Sequence, residues 1–171
     1  MKNFKKVLFV LFISLAVTAC KKDDEGGDDG QAGEGTVTAK VNGANFTSMS
    51  IASTASETNG GGSTTVTLQG SDASGKGIFL IINAFDGTGT YEITDANVFI
   101  TASYVEANVN DPMNSQTWNA PYQNSGVVGE INVSEKTDTT IKGTFNFTCK
   151  NVNGDQSIKN ITDGSFNLTI Q

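Results

Sequence analysis

The chain of 171 residues has two cysteines and no histidine, and all 11 of its basic residues are lysine. That combination removes most familiar catalytic parts. A serine or cysteine nucleophile normally takes its activation from a histidine, zinc sites are built from histidines or paired cysteines, and no glycine-rich phosphate-binding motif opens a helix here. Carboxylates remain. Glu92, Glu106 and Glu130 offer the parts of a glycosidase-like pair, but isolated glutamates on strands ordinarily sit on the solvated face. Asp86-Gly87-Thr88-Gly89 and Asn153-Gly154-Asp155 carry oxygen ligands without completing a calcium loop and read better as turns. The expectation is a non-enzymatic protein with no catalytic residue, no metal and no cofactor.

The two thiols have different surroundings. Cys149 ends the run Ile141-Lys142-Gly143-Thr144-Phe145-Asn146-Phe147-Thr148-Cys149, in which odd positions are apolar or small and even positions polar. It is expected on an inward strand face, behaving as a small hydrophobe. Cys20 closes an apolar run, Val7 to Val17, that follows the cationic start Lys2, Lys5 and Lys6. This is the layout of a secretory signal peptide, and it falls well short of the roughly 20 apolar residues a membrane-spanning helix needs.

Val17-Thr18-Ala19-Cys20 resembles the bacterial lipobox, an aliphatic residue and two small ones before the cysteine. The resemblance implies a diacylglyceryl group on Cys20, cleavage after Ala19 and anchoring to the membrane through covalent lipid. Two chains give stable anchoring where one is marginal. The next residues, Lys21, Lys22, Asp23, Asp24 and Glu25, are similar to the acidic export signal of Bacteroidota surface lipoproteins. That implies an outer-membrane protein held at the cell surface, with the periplasmic face as the alternative.

Once residues 1–19 are removed, eight lysines face 18 acidic residues, a net charge of −10. Such a chain repels phosphate backbones, so nucleic acid is excluded as a partner. Residues 20–35 form a lipidated, acidic, glycine-rich tether with almost nothing to bury. Residues 36–171 make a single domain of ordinary size.

Within it, short stretches of period-two alternation recur between Gly, Asn and Asp, and no helical period appears. Val37, Ala39 and Val41 share one face, Asn42-Gly43 signals a hairpin, and the chain returns through Phe46 towards Met49 and Ile51. Ile78 to Ile82 is apolar throughout, as for a strand covered on both faces. Asn97 to Val105 reads as a strand with Val98, Ile100, Ala102 and Tyr104 in register, and Val127–Ser134 and Thr139–Lys150 as a hairpin. Roughly nine or ten short strands point to an all-β antiparallel sandwich, with a closed β-barrel as the alternative.

Ala107 to Ser125 breaks the rhythm. It holds both prolines, Pro112 and Pro121, the only tryptophan, Trp118, and Tyr122. Long loops inside compact domains are often functional, so Trp118 and Tyr122 are the candidate binding residues, or else part of a lid over one end of the domain. Asp138-Thr139-Thr140 resembles the Bacteroidota O-glycosylation site, which marks Thr139.

Gly129-Glu130-Ile131-Asn132-Val133, Ile141 to Phe147 and Ile161 to Phe166 resemble a family of small Bacteroidota outer-membrane lipoproteins of uncharacterised function, as do Ala39 to Gly43 and Gly89-Thr90-Tyr91. The resemblance implies a β-sandwich lipoprotein and transfers no site residues. Two functions fit: a surface binding or adhesion module for glycan or protein, or a structural or accessory subunit of an envelope complex.

Overall fold

The computed structural model describes residues 31–108 and 110–171. They form eleven strands: β1 Thr36–Val41, β2 Ala44–Thr47, β3 Ser53–Gly60, β4 Ser63–Ser71, β5 Lys76–Asn83, β6 Gly89–Thr94, β7 Ile100–Glu106, β8 Gln116–Ala120, β9 Val127–Lys136, β10 Thr140–Lys150 and β11 Ile158–Thr169. Two 3-10 turns, Ser50–Ala52 and Pro112–Asn114, are the only helical pieces among these residues. No helix among them is long and apolar enough to cross a membrane.

Alternation dictates the strands. In β10, Ile141, Gly143, Phe145, Phe147 and Cys149 are buried while their neighbours are not. In β5, Ile78, Leu80 and Ile82 turn inward and Phe79 and Ile81 are half-buried, so the apolar run has one core face and one partly covered face. Asn42 and Gly43 both adopt positive φ, 49° and 83°, the geometry that lets a two-residue turn match the twist of its strands. The hairpin of β9 and β10 forms where the sequence predicts it.

All eleven strands belong to one sheet curled into a half-barrel, so the all-β antiparallel expectation holds, with the facing walls supplied by one continuous sheet. The order is β2-β1-β11-β10-β8-β7-β5-β4-β3, with β9 also on β10 and β6 on β9. The curl brings the far end back. Ile170 pairs in parallel with Ala55 of β3, and the Gln171 N–H donates to the Ala55 carbonyl at 2.9 Å. The β1–β2 hairpin lies so close over β4 that a Cβ on Gly70 would sit 2.7 Å from Val37 Cγ2. The barrel interior holds one hydrophobic cluster reaching from Val37 and Phe166 to Leu80, Tyr104 and Phe147.

The details differ from the sequence reading in four places. Ile51 is 92% exposed, because Ser48 takes the inward position: its Oγ accepts from the Val37 N–H at 2.7 Å and bonds Ser53 Oγ at 2.6 Å. Val98 faces solvent and β7 begins only at Ile100, because Thr94–Asn97 is a tight turn. The segment Ala107 to Ser125 contains a strand, β8, hidden in the sequence by polar outward residues and flanking prolines. Docking onto β11 starts before Thr36, with the Ala32 N–H donating to Ser165 Oγ at 2.9 Å and the Gly35 N–H to the Asn167 carbonyl at 2.7 Å.

Candidate functional site: a cleft at the fork of the sheet

β10 is long enough to serve two neighbours on one edge. Its first part, Ile141 to Phe147, pairs with β9, whereas β8 meets it only at Lys150, opposite Asn119. The sheet therefore forks. One branch is the ribbon of β9 and β6, running from Gly89 opposite Val133 to Thr94 opposite Val127. The other continues through β8, β7 and β5.

Between β6 and the ends of β5 and β7 lies a cleft of about 590 Å³, lined by Asn83, Ala84, Thr90, Tyr91, Glu92, Thr94, Asn97, Phe99 and Ile100. A shallower groove of about 480 Å³ lies across the ribbon, lined by Glu92, Tyr122, Val127, Val128, Gly129, Glu130, Asn146 and Thr148. Glu92 borders both.

The cleft walls are held rigidly. Asn83, closing β5, donates its N–H and its Nδ2 to the Phe99 carbonyl, each at 2.9 Å, and accepts from Thr65 Oγ1 at 3.0 Å. The Phe99 N–H donates to Asn97 Oδ1 at 3.1 Å, an Asx turn. The backbone at Phe99 is thus clamped while its ring is 60% exposed and neighbouring Val98 is 68% exposed. Ala84 adopts φ 57°, a left-handed conformation costing a residue with a Cβ about 1 kcal/mol. Such strain persists only where the surroundings over-determine it, and it clusters at functional sites. Tyr91, which lines the cleft, stacks on Phe85 at 5.7 Å, and its Oη donates to the Gly87 carbonyl at 2.7 Å while accepting the Asp86 N–H at 3.1 Å.

Glu92 and Glu130 are direct cross-strand partners, an arrangement that disfavours the free protein because like charges face each other. Both are exposed, and neither joins an ion pair among the described residues. The cleft thus offers apolar contact, amide and hydroxyl hydrogen bonding, and unneutralised negative charge. Those are the means of binding. No group of three or more His, Cys, Asp or Glu side chains able to hold a metal gathers among the described residues.

The residues singled out from sequence fall in different places. Cys20, Lys21, Lys22, Asp23, Asp24 and Glu25 lie outside the described residues, as do residues 1–19. Trp118 is 4% exposed: its Nε1 donates to Ser157 Oγ at 2.9 Å, Tyr104 packs 5.7 Å away, and Lys159 Nζ sits 4.5 Å over its ring. Of the two readings, an exposed binding residue or part of a lid, the first does not describe Trp118, since alternation in β8 turns Trp118 and Ala120 into the barrel. Tyr122, just past the cis Ala120–Pro121 bond, is half-buried on the shallower groove with Lys150 Nζ 5.9 Å over its ring. Trp118 and Tyr122 do not form a pair. Thr139 is exposed in the β9–β10 turn, its carbonyl accepting the Ile170 N–H at 2.8 Å.

Glu106 belongs to a cluster at one barrel end, accepting from Lys159 Nζ at 2.9 Å and Tyr104 Oη at 3.0 Å. Burial alone would raise its affinity for a proton, but the hydrogen bonds from Lys159 and Tyr104 outweigh burial and hold the carboxyl below the usual range. Burial, with Glu106 beside it, pushes the Tyr104 hydroxyl upward. Cys149 is a free, fully buried thiol, pushed up to about 12 by burial.

Phe99, Asn83 and Asn97 belong to no sequence motif that marks a site. The signal available was Thr94-Asp95-Ala96-Asn97, a cluster of turn formers interrupting the alternation. A family model described as a domain of unknown function (DUF6252) matches residues 33–168. No curated protein and no solved structure gives a match.

Proposed function

The chain belongs to the DUF6252 family, and from that premise we propose that it is a lipid-anchored, surface-exposed, non-enzymatic binding or adhesion module of the outer membrane whose ligand, glycan or protein, enters the cleft at the fork of the sheet. The supporting observation is the rim itself. Phe99 is held 60% exposed by a backbone clamped to Asn83, beside a strained Ala84. An exposed aromatic ring on a clamped backbone, beside a concave, hydrogen-bonding surface, is a usual anchor of an interaction site.

The test is to display the full chain, solubilised in neutral detergent, to arrays of glycans and of envelope proteins, alongside Phe99→Ala. Loss of captured ligands in the variant, at unchanged melting temperature, supports the cleft; equal capture by both chains removes it. The anchor has its own test. Cys20→Ala should move the chain to the aqueous phase on detergent partition, and changing Lys22, Asp23, Asp24 and Glu25 to Ala should abolish protease access on whole cells while leaving lipidation intact. A hexose-sized mass on the peptide carrying Thr139, lost in Thr139→Ala, would identify that residue as glycosylated.

The accessory-subunit reading is the second, and one observation favours it. β6 pairs with β9 alone, so one of its edges takes no strand among the described residues.

A further inference from the structure

The edge of β6 that takes no strand among the described residues runs along the cleft up to Thr94, which bridges to Asn97. Thr90, Tyr91, Glu92 and Thr94 of β6 form one wall, and Asn83 and Phe99 stand opposite. An extended segment laid against this edge would continue the β9–β6 ribbon, with its main chain meeting β6 and its side chains alternating between the two faces. On the inward face it would meet Tyr91, with Phe99 at the rim. On the outward face the residue opposite Glu92 would lie beside a carboxylate whose cross-strand partner on β9 is Glu130.

We propose that the cleft binds an extended strand from another protein, added to the β6 edge, with basic residues alternating with apolar ones. This rests on the cleft being the binding site, and it narrows the ligand to a peptide. Charge selects the occupant. Glu92 and Glu130 face each other with no cation among the described residues, and a lysine or arginine opposite Glu92 relieves that repulsion. The same charges work against a second copy. Antiparallel β6 edges centred on Glu92 would oppose two further carboxylates, between chains each carrying a net charge of −10 after removal of residues 1–19. The short length of β6, six residues, together with Glu92 in its middle, are devices that protect edges from self-pairing.

The experiment is fluorescence anisotropy of a labelled peptide alternating valine and lysine, titrated with the full chain in neutral detergent. Binding is expected, weakened by salt, lost when glutamate replaces lysine in the peptide, and lost in Glu92→Lys. Alternate N-methylation leaves the peptide's charge intact and removes its edge donors; it should weaken binding by about tenfold or more. Equal binding of the methylated peptide would overturn the strand proposal and reduce the contact to charge attraction. So would self-association of the chain through β6 in place of peptide binding. If the peptide fails while Phe99→Ala loses an oligosaccharide ligand, the cleft stands and the strand proposal falls. If Phe99→Ala changes the binding of nothing, the cleft falls as well.

Discussion

Replacing Trp118 by alanine removes the largest side chain of the barrel end, and the loss can be sized from its surroundings. The ring is 4% exposed, so nearly all of its area, roughly 200 Å², leaves water on folding; at about 25 cal/mol per Å² that is some 5 kcal/mol as an upper bound. Lys159 Nζ, 4.5 Å over the ring, adds about 1 kcal/mol. Relaxation offsets part of this. Lys159 and Tyr104 can shift into the vacated space, and Ser157 Oγ keeps its bond to Asp155 at 2.6 Å. The expected destabilisation is therefore about 3–5 kcal/mol, a fall in melting temperature on the order of 10–15 °C for a domain of this size. Trp118→Phe should recover more than half of it by refilling the space. Circular dichroism gives the melting temperature, and because the chain has one tryptophan, its fluorescence reports this site alone: blue-shifted emission and poor quenching by acrylamide in the native state. Red-shifted, readily quenched emission, with Trp118→Ala melting within about 0.5 kcal/mol of the wild type, would refute the placement of β8.

Cys149 should resist maleimide at neutral pH and react fully in denaturant; Cys149→Asp should cost about 3 kcal/mol or more, since it buries an unpaired charge. With the native thiol pushed up to about 12, its contribution to stability is intact below the ordinary thiol value of about 8.5 and declines as pH rises towards 12, a decline that Cys149→Ala should lack in alkaline urea titrations. The Glu106 carboxyl is held below its usual range, so it contributes stability above the unfolded carboxylate value and loses it as pH falls through the lower folded one. Glu106→Gln should flatten the acid limb of a stability–pH curve by about 0.5–1 kcal/mol, the modest size reflecting solvent screening. Ala84→Gly should relieve the left-handed backbone at φ 57° and raise stability by about 0.5–1 kcal/mol in chemical denaturation; a loss of stability would mean that the alanine methyl group is packed.

How much was legible from residues alone varies element by element, for physical reasons. The alternation from Ile141 to Cys149 predicts β10, its inward face and the burial of its thiol, because successive side chains of a strand must point to opposite faces. Asn42-Gly43 predicts its hairpin, because few other residues tolerate two successive positive φ angles. Composition sets expectations as directly: without histidine or arginine and with excess acid, the chain lacks the usual parts of histidine-based catalysis and of phosphate binding. β8 carries little alternation signal, because Thr117 and Asn119 are polar and prolines flank it, and only its pairing with β7 turns Trp118 inward. Ser48 could not be read as a core position, since its burial depends on hydrogen bonds to Val37 and Ser53. The cleft lay further out of reach. Asn83, Glu92 and Phe99 line one cleft in a sheet where β10 shares one edge between β8 and β9. Local periodicity determines which face of a strand is apolar; the choice of neighbours along an edge depends on contacts between residues far apart in the chain, and only the folded sheet decides it.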